Sequence, residues 1–288
     1  MYQIITDATA DMCDDMLVGL PQVDIIPMEV VVGETTYLYG KGGNLSVDEF
    51  YALLRKGEYA KTSQICPETY RQVFESYLKD GKDVLYLGFS SGMSGTINSA
   101  NLCAKELVDE YPERKIICVD TLCASAGEGF IVREALRKQA EGKDMEEVAN
   151  WVLENRLKVC HRFTISTFQH LLHGGRISAI AAATGTVLNL KPLLRVDEEG
   201  KLKVMEKPRG DKQALKAKLA QMEQGWDPGL GKFVIVGHGD SPEQGHILYE
   251  EVRKQFPDAK VYMVNIGPII GAHTGPGMVA LVYWGNNR

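Results

Sequence analysis

Residues 84–100, VLYLGFSSGMSGTINSA, constrain the fold of this chain more than any other stretch. Val84-Leu85-Tyr86-Leu87 is a short apolar run of the kind that forms a buried strand. Ser90-Ser91-Gly92-Met93-Ser94-Gly95-Thr96 follows without a single charge. A helical pattern then starts, with Ala100, Cys103, Ala104, Leu107 and Val108 on one face. Strand, Gly/Ser loop and helix in that order belong to a parallel α/β sheet. The first N–H groups of the helix lack internal partners and its dipole favours negative charge, so the loop is suited to gripping a small anionic head group.

The same alternation runs through the first half. Gln3-Ile4-Ile5 and 23–32 read as strands, the latter bent or at an edge because of Pro27. Residues 35–44 read as turns. Ser46-Val47-Asp48-Glu49 has the form of a capping box ahead of Phe50, Leu53 and Leu54. Ile116-Ile117-Cys118-Val119 is a strand, followed by a helix whose Ala126, Gly127 and Gly129 imply close packing. Residues 145–157 form an amphipathic helix. Such alternation predicts a parallel sheet with helices on both faces.

The second half differs. A strand at 163–166 leads through His170 to Ser178 into an Ala-rich helix at 179–188. Leu193-Leu194-Arg195-Val196 and 202–205 flank a hairpin turn. Residues 211–221 and the Leu248, Val252, Phe256 stripe are helical, and 233–236 and 261–264 are strands. The expected sheet is mixed, with helices on one face. The 288 residues suit two domains. We place them at 1–157, a parallel-sheet α/β/α domain, and 158–288, an α/β domain with a mixed sheet, the last strand being able to pack back towards the first.

Composition narrows the function. A net charge of -6 argues against a nucleic-acid partner. The six cysteines include no C-x-x-C pair and none at zinc-finger spacing from paired histidines. No metal is expected. With no apolar signal core near Met1 and no run long enough to span a bilayer, a reduced, cytoplasmic protein is the expectation.

Three further segments carry chemistry. Thr6-Asp7-Ala8-Thr9-Ala10-Asp11 is rich in short oxygen-bearing side chains; Asp11 reads as a helix N-cap and Asp7 as a group that orients neighbouring hydroxyls. Lys61-Thr62-Ser63-Gln64-Ile65-Cys66-Pro67 is polar and extended before a proline. It reads either as an ordinary approach to a helix or as a second set of donors facing 90–96. Ile266-Gly267-Pro268-Ile269-Ile270-Gly271-Ala272-His273-Thr274-Gly275-Pro276-Gly277 has a density of glycine and proline that fixes an unusual backbone path around one histidine.

These pieces, with Gly174-Gly175-Arg176-Ile177-Ser178, together resemble the DegV family of bacterial fatty-acid-binding proteins, in order and at similar separations over nearly the whole chain. Ala8 stands where the family more often has serine, and Met278-Val279-Ala280 replaces a more glycine-rich run. The resemblance implies two α/β domains with a long-chain fatty acid between them, of palmitate, stearate or oleate type, and no cofactor. Its carboxylate would be held by Thr62 and Ser94, with Ser63, Gly95 and Thr96 beside them and His273 in the surrounding network. It implies a lipid-binding, non-catalytic protein that presents its fatty acid to a fatty acid kinase, the acyl phosphate going to phospholipid synthesis. Arg176 and Arg209 are then candidate contacts for the kinase. Segment 177–186 would either face a membrane transiently or be core.

A rival reading is a serine hydrolase. Gly88-Phe89-Ser90-Ser91-Gly92 fits G-x-S-x-G between a strand and a helix, with Asp240 and His273 following in order. A phosphosugar or nucleotide site rests on the Gly/Ser loop alone, since no Walker lysine and no G-x-G-x-x-G occur there.

Overall fold

The computed structural model describes residues 1–178, 189–286 and 288. The helix expected at 179–188, and with it most of the segment 177–186, lies outside the described residues.

The chain opens with β1 (Tyr2–Asp7), a one-turn α1 (Asp14–Leu17) and β2 (Asp24–Ile26). Pro27 interrupts the apolar run, and β3 (Met28–Val32) begins beyond it. Residues 35–39, expected to be turns, form β4 (Thr35–Tyr39), paired antiparallel with β3. Thr and Tyr suit a pleated, half-exposed surface, and that preference outweighs the flanking glycines. Ser46 caps α2 (Val47–Arg55) in a reciprocal capping box with Glu49. β5 (Ala60–Thr62) joins the other edge of β3. Then come α3 (Pro67–Lys79), β6 (Asp83–Gly88), α4 (Thr96–Glu110), β7 (Ile116–Asp120), α5 (Ala126–Ala140) and α6 (Met145–Asn155).

Strands β1, β2, β6 and β7 make a parallel sheet in the order β2-β1-β6-β7. Ile4, Leu85 and Leu87 face a core shared with α5 and α6. Ile5, Val84 and Tyr86 face another, shared with α3 and α4. Burial on both faces is why these strands read as continuous apolar runs.

A single 3₁₀ turn (Arg156–Lys158) precedes the second half. It comprises β8 (Val159–Thr164), α7 (Gln169–His173), β9 (Leu193–Val196), β10 (Leu202–Glu206), α8 (Gly210–Gly225), β11 (Phe233–Gly239), α9 (Pro242–Gln255), β12 (Lys260–Asn265), α10 (Pro268–Thr274) and β13 (Met278–Trp284). The sheet order is β10-β9-β8-β13-β11-β12, with only β11 and β12 parallel. The protein is thus α/β, with a parallel sheet in its N-terminal domain and a mixed sheet in its C-terminal one.

Leu219, Met222, Leu248 and Val252 of α8 and α9 cover one face of the mixed sheet. The other face is not bare, contrary to expectation, because α5 packs on it. The Phe130 ring lies 4.7 Å from Phe233 and 4.9 Å from Trp284, centroid to centroid. One apolar cluster therefore runs from β1 and β6 through α5 into β8, β11 and β13.

Candidate functional site

The loops after β1, β6 and β7 sit at the carboxyl ends of parallel strands, where open α/β sheets bind ligands. Facing them are residues 62–64, α10 and the inner face of the mixed sheet. Between these surfaces is a cavity with about 880 Å³ of empty space, mouth included. Phe89, Met93, Phe163, Leu171 and Ile270 give it apolar walls. Met278, Ala280 and Val282 line it at alternate positions of β13. At ~3.3 Å per residue that stretch of wall is about 13 Å long.

One end is polar. Thr62 closes β5, its position fixed by pairing with Val30. Its Oγ1 lies 2.8 Å from Nε2 of His273. His273 is delivered by α10, which starts at Pro268 and ends at Gly275 with φ +71°, so the glycine and proline punctuation builds a helix of two turns rather than a loop. Burial, and then the charges of Arg176, His170 and His173, push the imidazole pKa down to about 4, so the ring is neutral at pH 7. Nδ1 is buried without a hydrogen-bond partner. A proton there would bury an unpaired N–H. The better tautomer carries the proton on Nε2 and donates it to Thr62 Oγ1, leaving the Thr62 hydroxyl proton for a ligand.

Ser94 comes from the loop after β6. Its hydroxyl bonds to Thr96 Oγ1 at 3.0 Å and accepts from the Thr96 N–H at 3.3 Å. Ser94, Ser63 and Gln64 all line the cavity. A Cβ on Gly95 would stand 3.0 Å from the Gln64 amide nitrogen, so segments 61–67 and 90–96 face each other. Composition alone favours the plainer reading of 61–67. Gly95 is the N-cap of α4, and Thr96 is buried behind Ser94, outside the cavity lining.

Beneath this lies a buried carboxyl network. Asp7 Oδ1 accepts from the Thr9 N–H at 3.0 Å and lies 2.5 Å from the Thr9 hydroxyl, while Tyr86 donates to Oδ2. Glu128 Oε2 lies 2.7 Å from the same Thr9 hydroxyl. One O–H cannot donate to both, so the Asp7–Glu128 pair holds a proton between them. Burial, then the Asp7 charge, raises the Glu128 pKa far above the usual range. Asp11 is not an N-cap: α1 begins three residues later, at Asp14, with Cys13 as its cap residue. Its carboxylate accepts from Ser125 Oγ (2.6 Å) and the Gly267 N–H (2.7 Å), tying the loop after β1 to α5 and to the approach to α10. Burial raises its pKa to about 7.

Along the β-ladder from Phe163 and Ala280, the next inward pair is His161 and Val282. His161 bonds Val159 O through Nδ1 and accepts from the Ala124 N–H at 3.4 Å. A Cβ on Gly127 would fall 1.8 Å from its Nε2, which is why α5 carries glycine there.

The hydrolase reading fails on geometry. Ser90 is fully buried and its hydroxyl donates to Gly200 O at 2.8 Å. His273 is engaged with Thr62, and Asp240 pairs with Arg55. Arg176 lines the cavity with its side chain partly buried and donates to Gly174 O. Arg209 is exposed at the N-cap of α8, away from the cavity lining. Sequence reasoning missed Glu128, Ser125 and His161. For Glu128 a signal existed, an acid flanked by Gly127 and Gly129 on a packing face; a histidine inside a strand gives none. No cluster suited to a metal ion occurs among the described residues.

Fold and site together define a two-sheet α/β protein with a mostly apolar cavity between its sheets, lined in one part by the hydroxyls of Thr62 and Ser94 and by neutral His273. The chain matches the family model described as "Uncharacterised protein, DegV family" over residues 1–286. It is 35% identical over 287 residues to the DegV domain-containing protein CPE0026 of Clostridium perfringens, covering all of this chain and 98% of that one. It belongs to the DegV family. Among solved structures it is similar to a fatty-acid-binding DegV family protein of Thermus thermophilus (TM-score 0.86, 29% identity, 99% of both chains covered). It is similar also to a stearic acid-binding protein of Eubacterium ventriosum (TM-score 0.87, 25% identity, 98% and 97% covered). The fatty acid kinase B3 protein of Streptococcus pneumoniae, loaded with linoleic acid, shares the fold (TM-score 0.87, 20% identity, 99% and 100% covered).

Proposed function

We propose that this protein binds a long-chain fatty acid of palmitate, stearate or oleate type and presents it to a separate fatty acid kinase. The observation that carries the reading is that Thr62, Ser94 and neutral His273 line the same mostly apolar cavity, Thr62 and His273 in direct contact. Hydroxyl donors give charge-assisted bonds to a carboxylate without a buried cation directly against it. Thr62 and Ser94 hold the carboxylate; Ser63 flanks it, and Gly95 and Thr96 fix the Ser94 loop. Burying the tail supplies the affinity. At ~0.8 kcal/mol per methylene, a sixteen-carbon chain contributes roughly 12 kcal/mol gross, before the entropy cost of association.

The protein is the carrier and the kinase the catalyst. Arg176, at the cavity mouth, and exposed Arg209 are the cations we assign to the kinase-facing side. The site lies between domains divided at 157/158, in a cytoplasmic protein that loads by brief contact with a membrane. No helix among the described residues is long and apolar enough to cross one.

The test is to denature the purified protein, extract it and identify the lipid by mass spectrometry. A stoichiometric long-chain acid is the expected result. An empty extract, together with no uptake of added palmitate or oleate, would overturn the proposal.

A further inference from the structure

The outer face of the mixed sheet carries a second, smaller site. On α8 the residues that face the sheet recur four apart, as Ala214, Lys218 and Met222. The middle one is a lysine, only 3% exposed. Around it Leu219, Met222, Leu248, Val236 and Val279 form an apolar cluster. A buried ammonium in such surroundings is costly unless it is paired. Lys218 has no carboxylate within ion-pair distance among the described residues. Asp211, the nearest acid to it by charge effect, is taken by Lys191 at 3.0 Å.

Lys218 Nζ makes one hydrogen bond, to Thr164 Oγ1 at 2.8 Å. An ammonium has three N–H donors, so two remain. Lys218 lines a small cavity, open to solvent and with room inside for only one or two water-sized groups, lined also by Gln244, Gly277 and Val279. The Gln244 amide has no partner among the described residues. This cavity is separate from the larger one, on the far side of the same strands. Thr164 pairs with Val279 and faces Lys218, whereas Phe163 pairs with Ala280 and faces the lipid cavity.

We propose that this cavity is a binding site for a small oxyanion, of formate to bicarbonate size, with Lys218 supplying the charge and Thr164 and Gln244 flanking it. An anion there neutralises the excess positive charge of Lys218, Lys191 and Asp211 taken together. It also accepts the two unused N–H donors. The cavity is too small for a nucleotide or a lipid head group. Burial, with Lys191 adding to it and Asp211 opposing it, brings the Lys218 pKa down to about 7 in the empty site. A bound anion then draws a proton onto the amine.

The experiment titrates the whole protein with formate, and separately with bicarbonate, against chloride at matched ionic strength. The lysine side-chain NMR signal with a midpoint near neutrality is expected to titrate at higher pH when formate is present, and that signal is absent from Lys218→Met. Thermal unfolding of the wild type is expected to rise by about 3 °C at ten times the dissociation constant, and Lys218→Met is expected not to respond. If Lys218→Met does not fold, Gln244→Leu, at a half-exposed position, is expected to weaken the response several-fold. An anion-independent lysine titration, or equal thermal shifts in wild type and variant, would overturn the proposal.

Discussion

Thr62 and Ser94 reach the cavity from segments more than thirty residues apart, and each carries a single hydroxyl. Thr62→Ala or Ser94→Ala should each weaken fatty-acid binding by about 1–3 kcal/mol, the worth of a hydrogen bond to a charged group. Calorimetric titration with oleate reads this directly, and wild-type affinity in both variants would remove the head group from this end of the cavity. Two of the buried groups, His273 and Asp11, contribute to the response to pH with opposite signs. The folded-state pKa of His273 is lowered from 6.5 to about 4, so the unfolded chain binds more protons in that interval, and stability is lost as pH falls through it. That of Asp11 is raised from 3.8 to about 7, so the folded state binds more protons, and stability is lost as pH rises through that range. The two effects oppose each other between about pH 4 and 6.5. Asp11→Asn removes one of them. Its stability deficit relative to wild type should shrink between pH 5 and pH 8, by on the order of 1 kcal/mol or more. Urea midpoints across that range measure it, and a constant deficit would show that Asp11 does not titrate there.

Among the elements, those whose pattern is local were legible in the sequence. The β6 strand, the 90–96 loop and α4 follow from apolar run, glycine and serine, and helical period, and the Ser46 capping box follows from its spacing. β4 was not legible, because its strand form comes from pairing with its one neighbour, β3, rather than from its own turn-like surroundings. Nor was α10, whose Gly271 and Pro268 read as loop until Phe50 and Tyr51 are packed against the glycine. The segments that bring Thr62, Ser94 and His273 to the cavity were singled out in the sequence; the carboxyl network was only half legible, since Asp7 and Thr9 are neighbours but Glu128 meets them from 119 or more residues away. At this scale the junction of α5 with β8 is testable. Gly127→Ala puts a methyl into the His161 ring and should cost about 1–3 kcal/mol. Combining it with His161→Ala should recover part of that loss, giving a double-mutant coupling of at least ~0.5 kcal/mol. Additive effects in denaturant unfolding would mean the two residues do not meet.

For the molecule as a whole, α5 decides how the two sheets unfold. Domains divided only by a linker would melt separately. Here one apolar cluster joins Ile4 and Leu85 of the parallel sheet, Phe130 of α5, and Phe163, Phe233 and Trp284 of the mixed sheet. Neither sheet can lose α5 without exposing its own inner face, so the free energies of the two halves are coupled. Asp11 adds a polar tie, bonding to α5 through Ser125 and to the start of α10 through Gly267. The expected outcome in calorimetry is one cooperative transition, with near-UV signal and helix content lost together. A fatty acid that fills the cavity touches both sheets and binds only the assembled state, so it should raise that single midpoint as its concentration rises. Phe130→Ala opens a hole where the sheets meet and should cost about 3–5 kcal/mol. If coupling runs through α5, the variant's transition should broaden or split, and added oleate should bring the parts back together. A variant that still melts in one sharp step at a lower temperature would place the coupling in the Asp11 tie and the cavity walls instead.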